Sequence, residues 1–368
     1  TASVAIGNYA LSTQNADGNN YNTAVGYVAG SNITTGIQNT LIGATSGDAL
    51  TDADYNTAVG MNALTADTLG SRNTAVGYNS LATQNFTSAT NSNNTALGYV
   101  SGSGITTAQE NTLIGARAGM AITDSNDNVA VGYKALENET RGSRNTAIGH
   151  DALGTQNTTS STAIYNTAVG HTAGTSITTG NENTLIGGLV GDALTDADKN
   201  TALGYLALSA DTQGSRSTAI GQGALKVQNF SSATNADNTA VGNDAGRSIT
   251  TAIRAVLMGS FAGKNINTGN NNVCIGYDAG SNITNGTENV IVGNLAGDGM
   301  SGGGANTAVG YGALTSACAS SNTAVGNNAL SSCTGSDNTA MGQNAGENIT
   351  SGTNNLMLGH DAGITGSP

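Results

Sequence analysis

The chain has 368 residues with 24 acidic against 11 basic side chains, a formal charge of −13. That balance excludes a nucleic-acid-binding rod, which needs a basic stripe to neutralise phosphates, and argues against docking on anionic lipid. With 53 glycines, one proline, no tryptophan and strictly placed aliphatics, the composition is that of a repeat protein and not of low-complexity disorder.

From the N-terminus, Ser3-Val4-Ala5-Ile6-Gly7 is the first of 21 copies of one short phrase, best written Asn22-Thr23-Ala24-Val25-Gly26. The closing glycines recur most often every 17 residues, from Gly26 and Gly43 to Gly342 and Gly359. A short fixed period marks a stack of coils, each buried only by its neighbours. The expected fold class is all-β: a parallel β-solenoid or β-roll of about 21 coils, one continuous rod over residues 1–368. No stretch is long and apolar enough to span a bilayer, and no signal peptide is seen. The start at Thr1 reads as a processed product or a piece of a longer protein.

Four residues before the glycine stands Asn in 18 of the 21 coils, the exceptions being Ser3, Ser217 and Ala255. In a stack these amides lie above one another at about 4.8 Å. Asn22, Asn39, Asn56, Asn73, Asn94 and Asn111 are therefore expected to form a structural ladder, donating to one neighbour and accepting from the other; the alternative is that each serves its own turn. Three before the glycine is Thr in 15 coils, and one before is always aliphatic. The residue between them, usually Ala, faces the other way under strand alternation. Both faces thus need cover. One fills the coil's own interior, and a partner chain is the simplest cover for the other.

Four residues after the glycine stands either Leu, as at Leu11, Leu64 and Leu81, or Gly, as at Gly30, Gly47 and Gly102. Most Gly coils carry an aliphatic three places later, such as Ile33, Leu50 and Ile105, where Leu coils have Asp67, Gln84 or Gln156. One large apolar group per coil, from either of two positions, is what conserved core volume requires.

Spacings of 17, 17, 17 and 21 define a 72-residue unit of four coils, so 22–237 reads as three such units and 238–368 as a more irregular continuation. The longer coils must bulge at a corner, and insertions in a solenoid map to one face. The bulges around Phe86, Ile164 and Phe230 are the candidate lateral contacts, to a neighbouring chain or a ligand. Arg72, Arg144 and Arg216 each follow Asp67, Glu139 or Asp211 by five residues and are expected to be exposed turn pairs worth little. Farther on, Cys318 and Cys333 fall in adjacent coils near one corner, within the Cα range of a disulfide but off by one in register. A bridge and two free thiols both fit, and Cys274 is expected to be unpaired.

Ser3-Val4-Ala5-Ile6-Gly7 resembles the head repeat of trimeric autotransporter adhesins of the YadA type, and Asn22-Thr23-Ala24-Val25-Gly26 is a close variant. The resemblance covers essentially the whole chain at the level of the repeat. It implies a left-handed parallel β-roll, three identical chains side by side about one axis, and a role in a surface adhesin or a phage tail fibre built from similar repeats.

Nothing in the sequence assembles a catalytic or metal constellation. His150, His171 and His360 each follow a repeat glycine, a slot otherwise often held by Tyr, as at Tyr27, Tyr78 and Tyr99. They read as members of a surface column. Asp52/Asp54, Asp196/Asp198 and Asp124/Asp127 offer hard oxygen ligands but no full calcium loop. The expected function is a non-enzymatic, extracellular structural fibre or adhesin rod on a virion or cell surface, which spaces or presents receptor contacts. Its partners are itself, as a homotrimer, and a host-surface glycan or protein, with no cofactor, nucleic acid or membrane insertion. One alternative is a monomeric ice- or surface-binding solenoid, which would want two exposed Thr columns where this chain has Thr beside Val or Ile. Another is a β-helix polysaccharide-processing enzyme, which lacks its acid cluster.

Overall fold

The computed structural model describes residues 2–15 and 18–363, which contain no helix. The contacts group the chain into two compact units, Thr1–Asn183 and Thr184–Pro368. The division falls inside the third 72-residue repeat, between a ladder residue and the strand that follows it. Each unit is a parallel β-solenoid built from three-residue strands, giving ten coils in the first and eleven in the second. In the first unit Thr23-Ala24-Val25 pairs in register with Val4-Ala5-Ile6 on one side and Thr40-Leu41-Ile42 on the other. In the second, Thr201-Ala202-Leu203 lies between Thr184-Leu185-Ile186 and Thr218-Ala219-Ile220 in the same way.

Strands this short close into a coil because three positions per repeat turn sharply through the left-handed region. In the coil closing at Gly43 these are Gln38 (φ 56°), Thr45 (φ 53°) and Gly47 (φ 53°). Where the third position is Leu, as at Leu64 (φ 54°), the backbone keeps that geometry at a cost of about 1 kcal/mol, offset by burial of the side chain. The closing glycine has a different origin. A β-carbon at Gly26 would collide with the carbonyl oxygen of Gly43 in the next coil, so the column is stacked backbone on backbone.

The middle residue of each strand points inward: Ala24, Leu41 and Ala58 are fully buried, while Thr23, Val25 and their equivalents are half-buried or exposed. The alternation therefore resolves with the Ala column inside and the Thr and aliphatic columns outside.

The Leu/Gly exchange is a matter of volume. A β-carbon at Gly30 would lie 2.7 Å from Leu41 Cδ1 and 3.1 Å from both Ile33 Cδ1 and Leu11 Cδ2. The space a Leu would take is thus filled from three other positions. In the second unit Gly263 faces Leu257 and Ile266, and Gly280 faces the Cys274 sulfur and Ile283. Cys274 is accordingly a buried filler in a slot usually held by Ala, and burial pushes its thiol up to about 12.

Candidate functional site

Two features concentrate chemistry: an outward sheet face, and buried polar groups at the corners. On the outward face the aliphatic column is half-buried to exposed, with Leu97 at 44% in the first unit and Leu203 at 45% in the second among its exposed members. Beside it runs the slot after the glycine, where Tyr27, Tyr78, Tyr99 and Tyr133 are exposed. Successive rings stack. Tyr78 and Tyr99 lie 5.5 Å apart at 11°, and His150 and His171 lie 5.0 Å apart at 14°, with Tyr133 5.3 Å from His150. These histidines are rungs of an aromatic column. Among the described residues no three His, Cys, Asp or Glu gather as metal ligands.

Inside the corner the asparagines are linked coil to coil. Asn39 donates its backbone N–H to Asn22 Oδ1 at 2.8 Å, and its Nδ2 to the same oxygen at 3.2 Å and to the Ala53 carbonyl at 2.8 Å. The link repeats from Asn56 to Asn39 (2.9 Å), Asn73 to Asn56 (2.9 Å), Asn94 to Asn73 (3.1 Å) and Asn111 to Asn94 (3.0 Å). Each of these side-chain oxygens thus accepts a backbone N–H from the next coil, satisfying donors that would otherwise be buried unpaired, and Asn39, Asn73 and Asn111 also donate Nδ2 back to the preceding Asn. In the second unit Ala255 donates to Asn238 Oδ1 at 2.9 Å but has no side-chain oxygen to offer the next coil.

The acids beside the long coils are not exposed turn partners. Asp67, Glu139 and Asp211 are fully buried. Asp67 Oδ1 accepts from the backbone N–H of Gly70 at 3.0 Å and of Phe86 at 3.2 Å, and Gln84 Nε2 donates to Oδ2 at 2.5 Å. Gln84 Oε1 accepts in turn from Asn94 Nδ2 at 2.8 Å, joining the acid to the ladder. Burial raises the Asp67 carboxyl above its ordinary value against these hydrogen bonds. Glu139 with Gln156, and Asp211 with Gln228, repeat the arrangement. The arginines lie elsewhere: Arg144 is 3.5 Å from Asp127 and donates to the Tyr165 hydroxyl at 2.7 Å. The signal missed in the sequence is that each acid and its Gln are 17 residues apart, the same slot in adjacent coils.

The apolar residues of the bulges are enclosed by the solenoid. Phe86 (5% exposed), Ile164 (5%) and Phe230 (6%) are buried, so they anchor the insertions and do not present lateral contacts. Each insertion is tied down by a short second sheet, Gly70-Ser71 with Thr90-Asn91 and Gly142-Ser143 with Thr162-Ala163 in the first unit, and Gly214-Ser215 with Thr234-Asn235 in the second. The exposed parts are Thr87, Ser88 and Ala89, Thr159 to Ala163, and Ser231 to Ala233.

No disulfide joins Cys318 and Cys333. Both are buried free thiols, and the Cys318 sulfur sits 2.7 Å from the Cys333 carbonyl oxygen. The one-residue register offset directs the Cys318 sulfur to backbone. The acidic turns bond internally: Asp52 accepts from Thr34 at 2.9 Å and Thr35 at 2.6 Å, which lowers its carboxyl, and Asp54 accepts from the Ile37 N–H at 2.8 Å.

No family model matches the chain, and no curated protein or solved structure matches it.

Proposed function

We propose that the chain is a non-enzymatic structural fibre or adhesin segment of a virion or cell surface, assembled as a side-by-side homotrimer of left-handed solenoids. The observation that carries this reading is the outward aliphatic column, present in every coil and flanked in many coils by Tyr. Extended exposed apolar surface marks an interaction site. A partner that covers such a column over many coils must share its rise of about 4.8 Å per coil, and a second copy of this chain has that period. A rotational, head-to-tail arrangement of identical chains closes the ring without leaving one face free. The buried acids support a non-enzymatic role, since Asp67 and Glu139 lie four coils apart, about 19 Å at strand spacing, too far to act on one bond as a pair.

Light scattering on the purified chain tests the assembly. The expected mass is three times that of one chain, and a stable monomer at micromolar concentration would overturn it. Replacing Ile114 and Val131 by Lys should shift the mass towards the monomer while leaving the far-ultraviolet dichroism of a β-solenoid intact.

A second reading is favoured by one observation: the Thr column also faces outward, at Thr23, Thr40, Thr57, Thr74, Thr95 and Thr112 in consecutive coils. A regular array of hydroxyls and methyls is what binding to ice or another periodic surface needs. Thermal hysteresis of the monomeric double-Lys variant and of the parent chain distinguishes the two.

A further inference from the structure

The long coils of the first unit are built differently at their base. Residues 72 apart occupy the same slot, so Phe86 and Ser92 of the first insertion correspond to Thr158 and Ile164 of the next, and Asp67 to Glu139. The aromatic plug is thus replaced by a hydroxyl, and the apolar anchor moves six residues along the loop. The longer acid follows the change: Glu139 Oε1 accepts from Thr158 Oγ1 at 2.6 Å and from the Thr158 N–H at 3.1 Å. It also accepts from the N–H groups of Thr140, Arg141 and Gly142 at 2.7–2.9 Å. A fully buried carboxylate with five donors on Oε1, and Gln156 Nε2 on Oε2 at 2.7 Å, holds the base of this insertion in one conformation.

Against that base lies a cavity of about 360 Å³, open to solvent along the exposed Thr159 to Ala163. Its polar lining comes from Thr158, Thr159, Ser160, Thr162, Thr179 and Asn181. Ala163 and Ile164 supply an apolar wall, and no charged side chain contributes. Hydroxyls and an amide both donate and accept, and beside an apolar wall they suit a ring that carries hydroxyls at its edge and C–H groups on its face. The lining offers an anionic or cationic ligand no ion partner and no charge-assisted hydrogen bond.

We propose that this cavity is a binding site for a neutral sugar residue. The proposal deepens the adhesin reading by giving it a receptor chemistry, but the site is complete within one solenoid unit and does not depend on the trimer.

The test uses the full chain and saturation-transfer difference NMR with glucose, galactose, mannose and N-acetylglucosamine, with glucuronate as the charged control. At least one neutral sugar should receive saturation, with a Kd on the order of 1 mM. The variant Glu139→Asp/Thr158→Phe/Ile164→Ser rebuilds the base of the first insertion, an arrangement this fold already carries. It should keep its melting temperature and weaken binding by about tenfold or more. No transfer to any neutral sugar, stronger transfer to glucuronate, or unchanged transfer in the triple variant would each overturn the proposal. Ser160→Val supplies a second loss-of-binding variant should the triple variant fold poorly. A trimer by light scattering without sugar binding defeats this inference alone, and sugar binding by a monomer defeats the assembly reading alone.

Discussion

Leu41 Cδ2 stands 2.8 Å from where a β-carbon on Gly47 would be, so one side chain in the strand occupies the room that another coil gives to a Leu at the turn. In the next coil the pair is reversed, with Ala58 in the strand and Leu64 at the turn, both fully buried.

That reversal makes a double-mutant cycle informative. Leu41→Ala alone should cost about 3 kcal/mol through the cavity it leaves, and Gly47→Leu alone about 2 kcal/mol through overpacking. Combined, they approach the arrangement of the following coil and should cost less than the sum by about 1 kcal/mol or more. Urea unfolding of the four proteins measures this, and strict additivity would contradict the volume exchange.

The ladder makes a prediction about hydrogen exchange. Asn56 Oδ1 accepts from the Asn73 N–H at 2.9 Å and from Asn73 Nδ2 at 3.1 Å, and Asn56 Nδ2 donates to the Gly70 carbonyl at 3.0 Å. Asn56→Ala leaves buried groups unsatisfied and should destabilise the first unit by about 2–3 kcal/mol. The Asn73 amide should lose protection while the Asn56 amide, still held by Asn39 Oδ1, keeps it. Equal loss at both would show that the two coils open together and that the ladder is not the determinant.

Asp67 carries a pH dependence of fixed sign. Its folded carboxyl is raised above the ordinary value of 3.8 by burial, so the folded state holds the proton more tightly than the unfolded chain. This group's contribution is fully present below 3.8 and is lost as pH rises through the raised folded value. Asp67→Asn should remove that component and flatten the melting temperature against pH over that interval. A steeper profile in the variant would reverse the assignment.

The three thiols should be silent in the folded chain. Cys274, Cys318 and Cys333 are all buried; burial holds Cys274 protonated, and although the hydrogen bond from Cys318 lowers the Cys333 thiol to about 7, an enclosed sulfur is out of reach of a reagent. A thiol-reactive dye at neutral pH should label none of them quickly and all three after denaturation. Rapid native labelling of Cys333 would show that its corner opens.

The period, the strand residues and the Leu/Gly exchange were legible because coil volume is written in residue identity, and Gly30 with Ile33 against Leu64 with Asp67 reads as a swap without coordinates. Which strand face lies inside was not. Ala24 and Val25 are both apolar, and only the thinness of the coil assigns the smaller one to the core. The bulges misled for a related reason. Phe86 and Ile164 sit in polar loops, where a lone apolar residue reads equally as a contact or as an anchor. The buried Asp67 was hidden because its partner, Gln84, is remote in sequence; it emerges only when the same slot is compared between successive coils.

The paired order at the turn slot has a consequence for how such a chain can change length. Along the first unit the slot runs Leu64, Leu81, Gly102, Gly119, Leu136, Leu153, two bulky rungs and then two empty ones. Removing a single coil would set a rung against the wrong neighbour, either crowding two fillers into one space or leaving a void. Removing four coils restores the sequence of neighbours. Within the first unit the 72-residue block is therefore the step that preserves every neighbour, whereas the second unit, where Gly246, Gly263, Gly280 and Gly297 follow one another, carries no such order.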